Sequence, residues 1–343
     1  MPCAKNWKGP PPPETSCASS AKTLKPDEHA MNLQQELQPY LKIIEKEINK
    51  FSGDRQVTFF YEPIRYILRL KGKRIRPLLT MLCAEALDVP PQVSRYPAAA
   101  VELLHNFTLV HDDIMDQDDF RRGRQTVHKK WDVNAAILSG DGLMGLAFRK
   151  LLDTPQGDVT AMARRFTEAM LLICEGQGQD KMFETRSSVD SALYLQMIER
   201  KTAVLIELAC ELGAMVAGAG RDTVLLLREF GYALGLGFQI QDDVLDVVGD
   251  ESHLGKKTGS DLSMHKQTLL TIKLREKTGS DQFFDLPLKE FRRLLDESGV
   301  LAETRQQYQD LFDQARNKAQ QLPASPARER LLALTDSIKN RDW

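Results

Sequence analysis

Two copies of one acidic pattern, Asp-Asp-x-x-Asp, stand far apart in this chain: Asp112-Asp113-Ile114-Met115-Asp116 and Asp242-Asp243-Val244-Leu245-Asp246. In each copy the first and last Asp are four residues apart, so on a helix they share one face, one turn apart. Like charges at that spacing repel. A hard cation with oxygen ligands removes the conflict, and magnesium in particular keeps waters while bridging a few carboxylates to substrate phosphates. Two such faces turned toward each other would hold a diphosphate in a metal cluster. With each acid at roughly 6% usage, chance gives one such pattern in about 0.07 of chains this long and two in well under about 0.01. A pair of merely solvated acidic surfaces is therefore a poor explanation.

Basic residues accompany both motifs. Gly72-Lys73-Arg74-Ile75-Arg76-Pro77 sets three cations just before a helix that Pro77 can begin. A helix N-terminus with Lys and Arg is an anion site, and Arg grips phosphate in bidentate fashion. Arg121-Arg122-Gly123 follows the first acidic motif directly, and Lys256, Lys257 and Lys266 follow the second in a Gly/Ser-rich stretch. Cations flanking both acidic faces point to two diphosphates, one on the metals and one on Lys and Arg. His105 lies seven residues before Asp112, two turns along nearly the same face. His111 is turned aside and reads as packing or capping, and Met115 as core.

The elements that must carry these residues are helical. Leu37, Leu41, Ile44 and Ile48 repeat every three to four residues, as do Ile64, Ile67 and Leu68. Further helical stretches run over 75–87, 94–117, 132–152, 158–183, 190–217, 221–248, 266–276, 287–296 and 302–320. Strand alternation bounded by hairpin turns is hard to find, and Asp88-Val89-Pro90-Pro91 and Gly218-Ala219-Gly220 mark loops. Residues 31–343 read as a single large all-α domain. Both acidic motifs fall near helix C-terminal ends, where carboxylates without a cation oppose the helix dipole. Gly231, Gly235 and Gly237 ahead of the second motif suit close helix packing.

Residues 1–30, with Pro10 to Pro13 and Ser16 to Ser20, read as a disordered tail unable to bury a helical face. The 343 residues carry 42% hydrophobic and 27% charged side chains with net charge -2, so no bulk basic field argues for nucleic acid. No apolar run reaches transmembrane length. Five scattered cysteines suit reduced thiols in a cytoplasmic setting better than a disulfide framework.

Taken together, GKRIRP at 72–77, ELLHNFTLVHDDIMD at 102–116, FRRG at 120–123, GQGQD at 176–180, KT at 201–202, FQIQDDVLD at 238–246 and GKKTGSD with Lys266 resemble the short-chain trans-isoprenyl diphosphate synthases. The similarity extends from Met31 to near the C-terminus. It implies an all-helical fold around a central cavity, a homodimer, and three magnesium ions per active site. The implied reaction condenses an allylic diphosphate (dimethylallyl, geranyl or farnesyl) with isopentenyl diphosphate, head to tail, releasing pyrophosphate.

By the same resemblance, Asp112, Asp116 and Asp242 are metal ligands, while Asp113, Asp243 and Asp246 orient them. Lys201, Lys256 and Lys266, with Arg121 beside them, match the allylic diphosphate site. Lys73, Arg76, His105 and Arg122 match the isopentenyl diphosphate site. Thr202 and Gln239 match polar groups facing the reacting carbons, and Gln177 and Asp180 a polar pair lining the cavity. Two departures are Lys71-Gly72 in place of Gly-Gly and His265 in place of Asn; neither removes a charge.

Product length in this family depends on the helix below the first motif. Phe107, five residues before Asp112, matches the position where an aromatic side chain marks short products. A helical wheel aligns Thr108 better with Asp112, and Leu104 is the next candidate floor. A small Thr108 favours geranylgeranyl diphosphate over farnesyl diphosphate. Retention of both Asp motifs and of Lys73, Arg76 and His105 argues against a terpene cyclase and against a catalytically silent partner subunit.

Overall fold

The computed structural model describes residues 26–50, 57–186, 188–249 and 258–340, and side chains from Leu33 onward. Helices α1 (Pro26–Asn49), α2 (Thr58–Arg69), α3 (Ile75–Glu85) and α4 (Pro91–Met115) open the fold. A small hairpin, β1 (Phe120–Arg121) and β2 (Arg124–Gln125), leads through the short α5 (Val127–Lys130) to α6 (Val133–Leu152) and α7 (Val159–Phe183). Then follow α8 (Ser191–Ile198), a π-helical segment (Glu199–Ala203), α9 (Val204–Val216) and α10 (Arg221–Val248). The chain ends in α11 (Ser260–Ser263), α12 (Leu269–Thr278), α13 (Leu288–Glu297), α14 (Val300–Ala319) and α15 (Pro326–Asn340). The fold is all-α, as expected.

Helix starts follow simple chemistry. Asp132, Asp158 and Asp190 each cap the next helix by accepting from a backbone N–H three residues on. Pro91 opens α4 at the first helical position, where its missing N–H costs nothing, so that helix begins ahead of the expected residue 94. Helix α1 begins at Pro26, inside the stretch read as tail; residues 1–25 lie outside the described residues.

The packing places two long helices at the centre. Helix α4 lies against α6, α3, α9 and α1, and α10 lies against α9 and α14. Between them α9 is buried almost all round, from Val204 to Val216, as a helix apolar on every face must be. Its two acids meet a matching cation: Arg165 of α7 donates to Glu207 (2.5 Å) and Glu211 (2.6 Å). The glycines of α10 do serve close packing. A Cβ on Gly231 would meet Glu207 Cα at 2.7 Å, and one on Gly235 would meet Ala203 Cα at 2.7 Å.

Three features differ from the expectation. The helix expected over 190–217 runs as expected but contains a π turn, which carries Lys201 and Thr202. A two-stranded hairpin stands where FRRG was read only as a basic run. Met115, expected in the core, is 42% exposed, because the last turn of α4 emerges from the bundle.

Candidate active site

The two acidic motifs sit near the C-terminal ends of α4 and α10, two of the long helices of the bundle. Asp112 is half-buried and Asp113 buried, while Asp116 caps the C-terminus of α4. Arg121 pairs with Asp113 and lies 3.3 Å from Asp118. Lys181 of α7 donates to Asp116 (3.3 Å), to the Met115 carbonyl (3.1 Å) and to Glu184 (2.6 Å). In the second motif Tyr194 donates to Asp243 (2.5 Å), and Gln239 donates to the other oxygen (3.1 Å). Asp246 is buried and accepts from the Ser260 hydroxyl (2.7 Å) and the Asp261 backbone (3.1 Å).

A cavity of about 330 Å³ opens beside this second motif, lined among others by Asp180, Lys201, Thr202, Gln239, Asp242 and Lys266. Lys201 pairs with Asp180 (2.5 Å), and Thr202 donates to Gln239 (3.1 Å). The π segment aims both residues inward; such segments, with their extra residue per turn, recur at functional sites. Two glycines make room for it. A Cβ on Gly176 of α7 would lie 2.4 Å from the Lys201 nitrogen, and Gly235 of α10 presses on Ala203 from the other side.

Electrostatics join the two acidic faces. Burial raises the Asp112 carboxyl to about 6, with Lys201 and Arg121 pulling it down and Asp116 and Asp180 pushing it up. Lys266 is exposed, lies 3.6 Å from Asp261, and feels Asp180 and Asp116. Lys201 and Lys266, which line the cavity with Asp242, thus also feel Asp112 and Asp116 of the first motif. Asp243 is pushed up to about 7, chiefly by burial.

A second group of cations lies apart from that cavity. Arg76 stands 3.2 Å from His105, and burial, with Arg122 nearby, lowers the guanidinium to about 10. His105 is held well below its usual range by burial and then by Arg76, Arg122 and Arg121, so it is neutral at pH 7. The Arg122 guanidinium lies over Gly72, where a Cβ would meet it at 2.7 Å. That explains a glycine here whatever precedes it. The Arg122-Gly123 turn has positive φ at both residues, 52° and 71°, the geometry of a two-residue type I′ hairpin. Arg76 and Arg122 thus present two guanidinium groups beside a neutral imidazole.

The remaining expected residues have varied surroundings. Lys256 and Lys257 lie outside the described residues. Lys73 is exposed at the edge of the second cluster. Arg74, the middle cation of GKRIRP, turns inward to Glu102 (2.6 Å) and Glu45 (2.9 Å) and pins the loop instead of facing a substrate. Gln177 is buried away from the cavity lining. His111 packs edge-on against Phe107 with ring centroids 4.8 Å apart. Phe107 and Leu104 are buried, and Thr108 is half-buried with its hydroxyl on the His105 carbonyl (2.9 Å). Sequence reasoning passed over Lys181 and Tyr194. Each left a trace: Lys181 directly follows Asp180, and Tyr194 precedes Lys201 by two helical turns.

The donor set suits magnesium. The acidic faces offer only carboxylate oxygens, the hard donors that magnesium takes. Among the described residues no three carboxylate, His or Cys groups converge tightly enough to hold an ion by themselves. A magnesium ion that retains waters and takes substrate phosphate oxygens needs no such cage.

Residues 57–291 match the polyprenyl synthetase family. The chain belongs to that family. It is 38% identical over 291 residues to the geranylgeranyl diphosphate synthase of Methanosarcina mazei, covering 82% of this chain and 90% of that relative. It is 36% identical over 312 residues to the geranylfarnesyl diphosphate synthase of Natronomonas pharaonis, covering 82% and 90%. The solved geranylgeranyl pyrophosphate synthetase of Pyrococcus horikoshii superposes with a TM-score of 0.85 at 33% identity, covering 92% of this chain and 99% of that one. The polyprenyl synthetase is thus a prenyltransferase that condenses isopentenyl diphosphate head to tail with an allylic diphosphate, in a family that uses magnesium. Among the described residues no helix is long and apolar enough to cross a membrane.

Proposed function

We propose that this synthase makes geranylgeranyl diphosphate, using three magnesium ions held by Asp112, Asp116 and Asp242. The observation that carries the two-substrate arrangement is the separation of cations into two groups. Lys201 and Lys266 border the cavity beside the acidic faces and serve the allylic diphosphate, with Lys256 and Arg121. Arg76, His105 and Arg122, with Lys73, form the other group and hold isopentenyl diphosphate. His105 there is a neutral hydrogen-bond partner, not a cation.

Each side chain then has a positioning or electrostatic task. Lys201 and Lys266 offset negative charge gathering on the departing pyrophosphate. Bound magnesium supplies further charge stabilisation of that leaving group. Thr202 and Gln239, hydrogen-bonded to each other, present fixed dipoles to the reacting carbons. Arg76 and Arg122 fix the second diphosphate so that its double bond lies against the allylic carbon. No protein base is needed if the released pyrophosphate takes the proton.

The geranylgeranyl product is supported by the names of the similar chains, which include geranylgeranyl and geranylfarnesyl synthases, and by Phe107 buried one turn from His111 with the smaller Thr108 beside it. The experiment is product sizing with magnesium, isopentenyl diphosphate and each allylic primer. A twenty-carbon product is expected, and a fifteen- or twenty-five-carbon end point would overturn the assignment. Phe107→Ala should lengthen products by at least one five-carbon unit. Unchanged length in the folded variant would move the floor to Leu104 or Thr108.

Three further readings belong to this proposal. The synthase works as a homodimer, to which the exposed apolar Val133, Ile137 and Leu138 of α6 lend support; sedimentation at a single-subunit mass would refute it. It acts in the cytoplasm, in keeping with scattered thiols. Residues 31–343 act as one catalytic domain.

A further inference from the structure

A groove of about 440 Å³ lies outside the substrate cavity, between α2 and the chain running from β2 through α5. Four cations line it, Arg65, Arg69, Arg124 and Lys130, against the single carboxylate of Glu62. That is a local excess in a chain whose net charge is -2. Like charges gathered at one place repel, and an anion placed among them relieves the repulsion. Two aromatic rings complete the lining. Tyr66 and Trp131 meet edge-on with centroids 5.2 Å apart, and Lys130 lies 5.1 Å and 5.2 Å from the two rings. The neighbouring Lys129 is paired with Asp119 at 2.8 Å and does not line the groove. The Tyr66 hydroxyl donates to the Gln125 carbonyl (2.7 Å), which fixes its ring against the hairpin.

We propose that this groove is a second binding site, for a phosphate ester carrying an apolar tail. Guanidinium forks match phosphate oxygens in bidentate fashion. Rings with one apolar face and one polar end suit the boundary between a headgroup and a hydrocarbon chain. A groove of this size accommodates a small ligand. Such an ester can come free, as an isoprenyl monophosphate, or as the headgroup of an anionic phospholipid.

The test uses full-length protein with Trp7→Phe and Trp343→Phe, which leaves Trp131 as the only indole. Without magnesium, Trp131 emission is followed against monomeric farnesyl monophosphate and, separately, against phosphatidylcholine vesicles carrying phosphatidic acid. A saturable change with at least one probe is expected, weakened at least about tenfold, or about 1.4 kcal/mol, by Arg69→Glu with Lys130→Glu. Both substituted residues are exposed, so prenyl transfer without added ligand should be unchanged and serves as the check on folding. If that double variant is inactive, Arg69→Gln alone replaces it. A response to the monophosphate alone identifies a free ligand; a response to vesicles alone identifies a headgroup. Silence with both probes overturns the proposal. So does a response that survives the variant, since that binding belongs to the substrate cavity.

Discussion

At the end of α4, the acidic residues are held by cations: Asp113 by Arg121 and Asp116 by Lys181. Near the end of α10, the partners among the described residues are neutral donors, Tyr194 and Gln239 on Asp243 and Ser260 with a backbone N–H on Asp246. The difference is physical. Asp113 is itself buried, but the Asp116–Lys181 pair is partly exposed, and such pairs contribute little to stability and are easily rearranged, so the end of the α4 face is free to change partners. Buried carboxylates on neutral donors are fixed by satisfied hydrogen bonds, so the α10 face is a rigid reference. One sequence pattern thus yields an adjustable face and a fixed one.

The largest expected effect tests what the faces share. Asp112→Ala and Asp242→Ala should each lower kcat by about three powers of ten or more, since a metal site contributes several kcal/mol to transition-state stabilisation. Near-normal turnover in either variant, with helical circular dichroism intact, would remove the common metal site. A smaller effect separates the two cation groups. Arg76→Ala should mainly raise KM for isopentenyl diphosphate, and Lys201→Ala should mainly impair the allylic substrate, each by about 10- to 100-fold for the loss of a charge-assisted contact of about 1.5–3 kcal/mol. Equal effects on both substrates would merge the two groups into one.

Smaller still is the stability contrast between the faces. Asp246→Ala leaves the Ser260 hydroxyl and the Asp261 N–H without their acceptor and should cost about 1–3 kcal/mol in urea unfolding. Asp116→Ala breaks only a partly exposed pair and should stay within about 0.5–1 kcal/mol of the parent. Matching losses would erase the distinction between fixed and adjustable faces. Tyr194→Phe should cost about 1 kcal/mol, less than Asp246→Ala at its upper end, because one of two donors on Asp243 remains.

Much of the fold was legible because α4, α7 and α10 are long and strongly patterned, and because Asp132, Asp158 and Asp190 announce helix starts. The π segment was not legible, since Glu199 to Ala203 has an ordinary helical composition and only packing against Gly176 and Gly235 makes the wider turn fit. The hairpin was equally hidden: Arg122 adopts a positive φ that its residue type disfavours. For the candidate site, spacing alone marked the acidic residues and His105. It could not separate Arg74 from Arg76, two residues apart, because inward pairing with Glu102 depends on a partner twenty-eight positions away.

The π segment also sets which changes in chain length this region can absorb. A π turn carries one residue more than an α turn, so α8 and α9 form one helix with a single-residue insertion at Glu199 to Ala203. Deleting one residue there would restore an ordinary turn and leave α8 and α9 in phase, because the wider turn itself takes up the extra residue. Tyr194 would keep Asp243, while Lys201 and Thr202 would lose the wide turn that carries them. Substitutions in this segment alter one contact at a time, whereas a one-residue deletion would disturb the allylic side and spare the fixed acidic face.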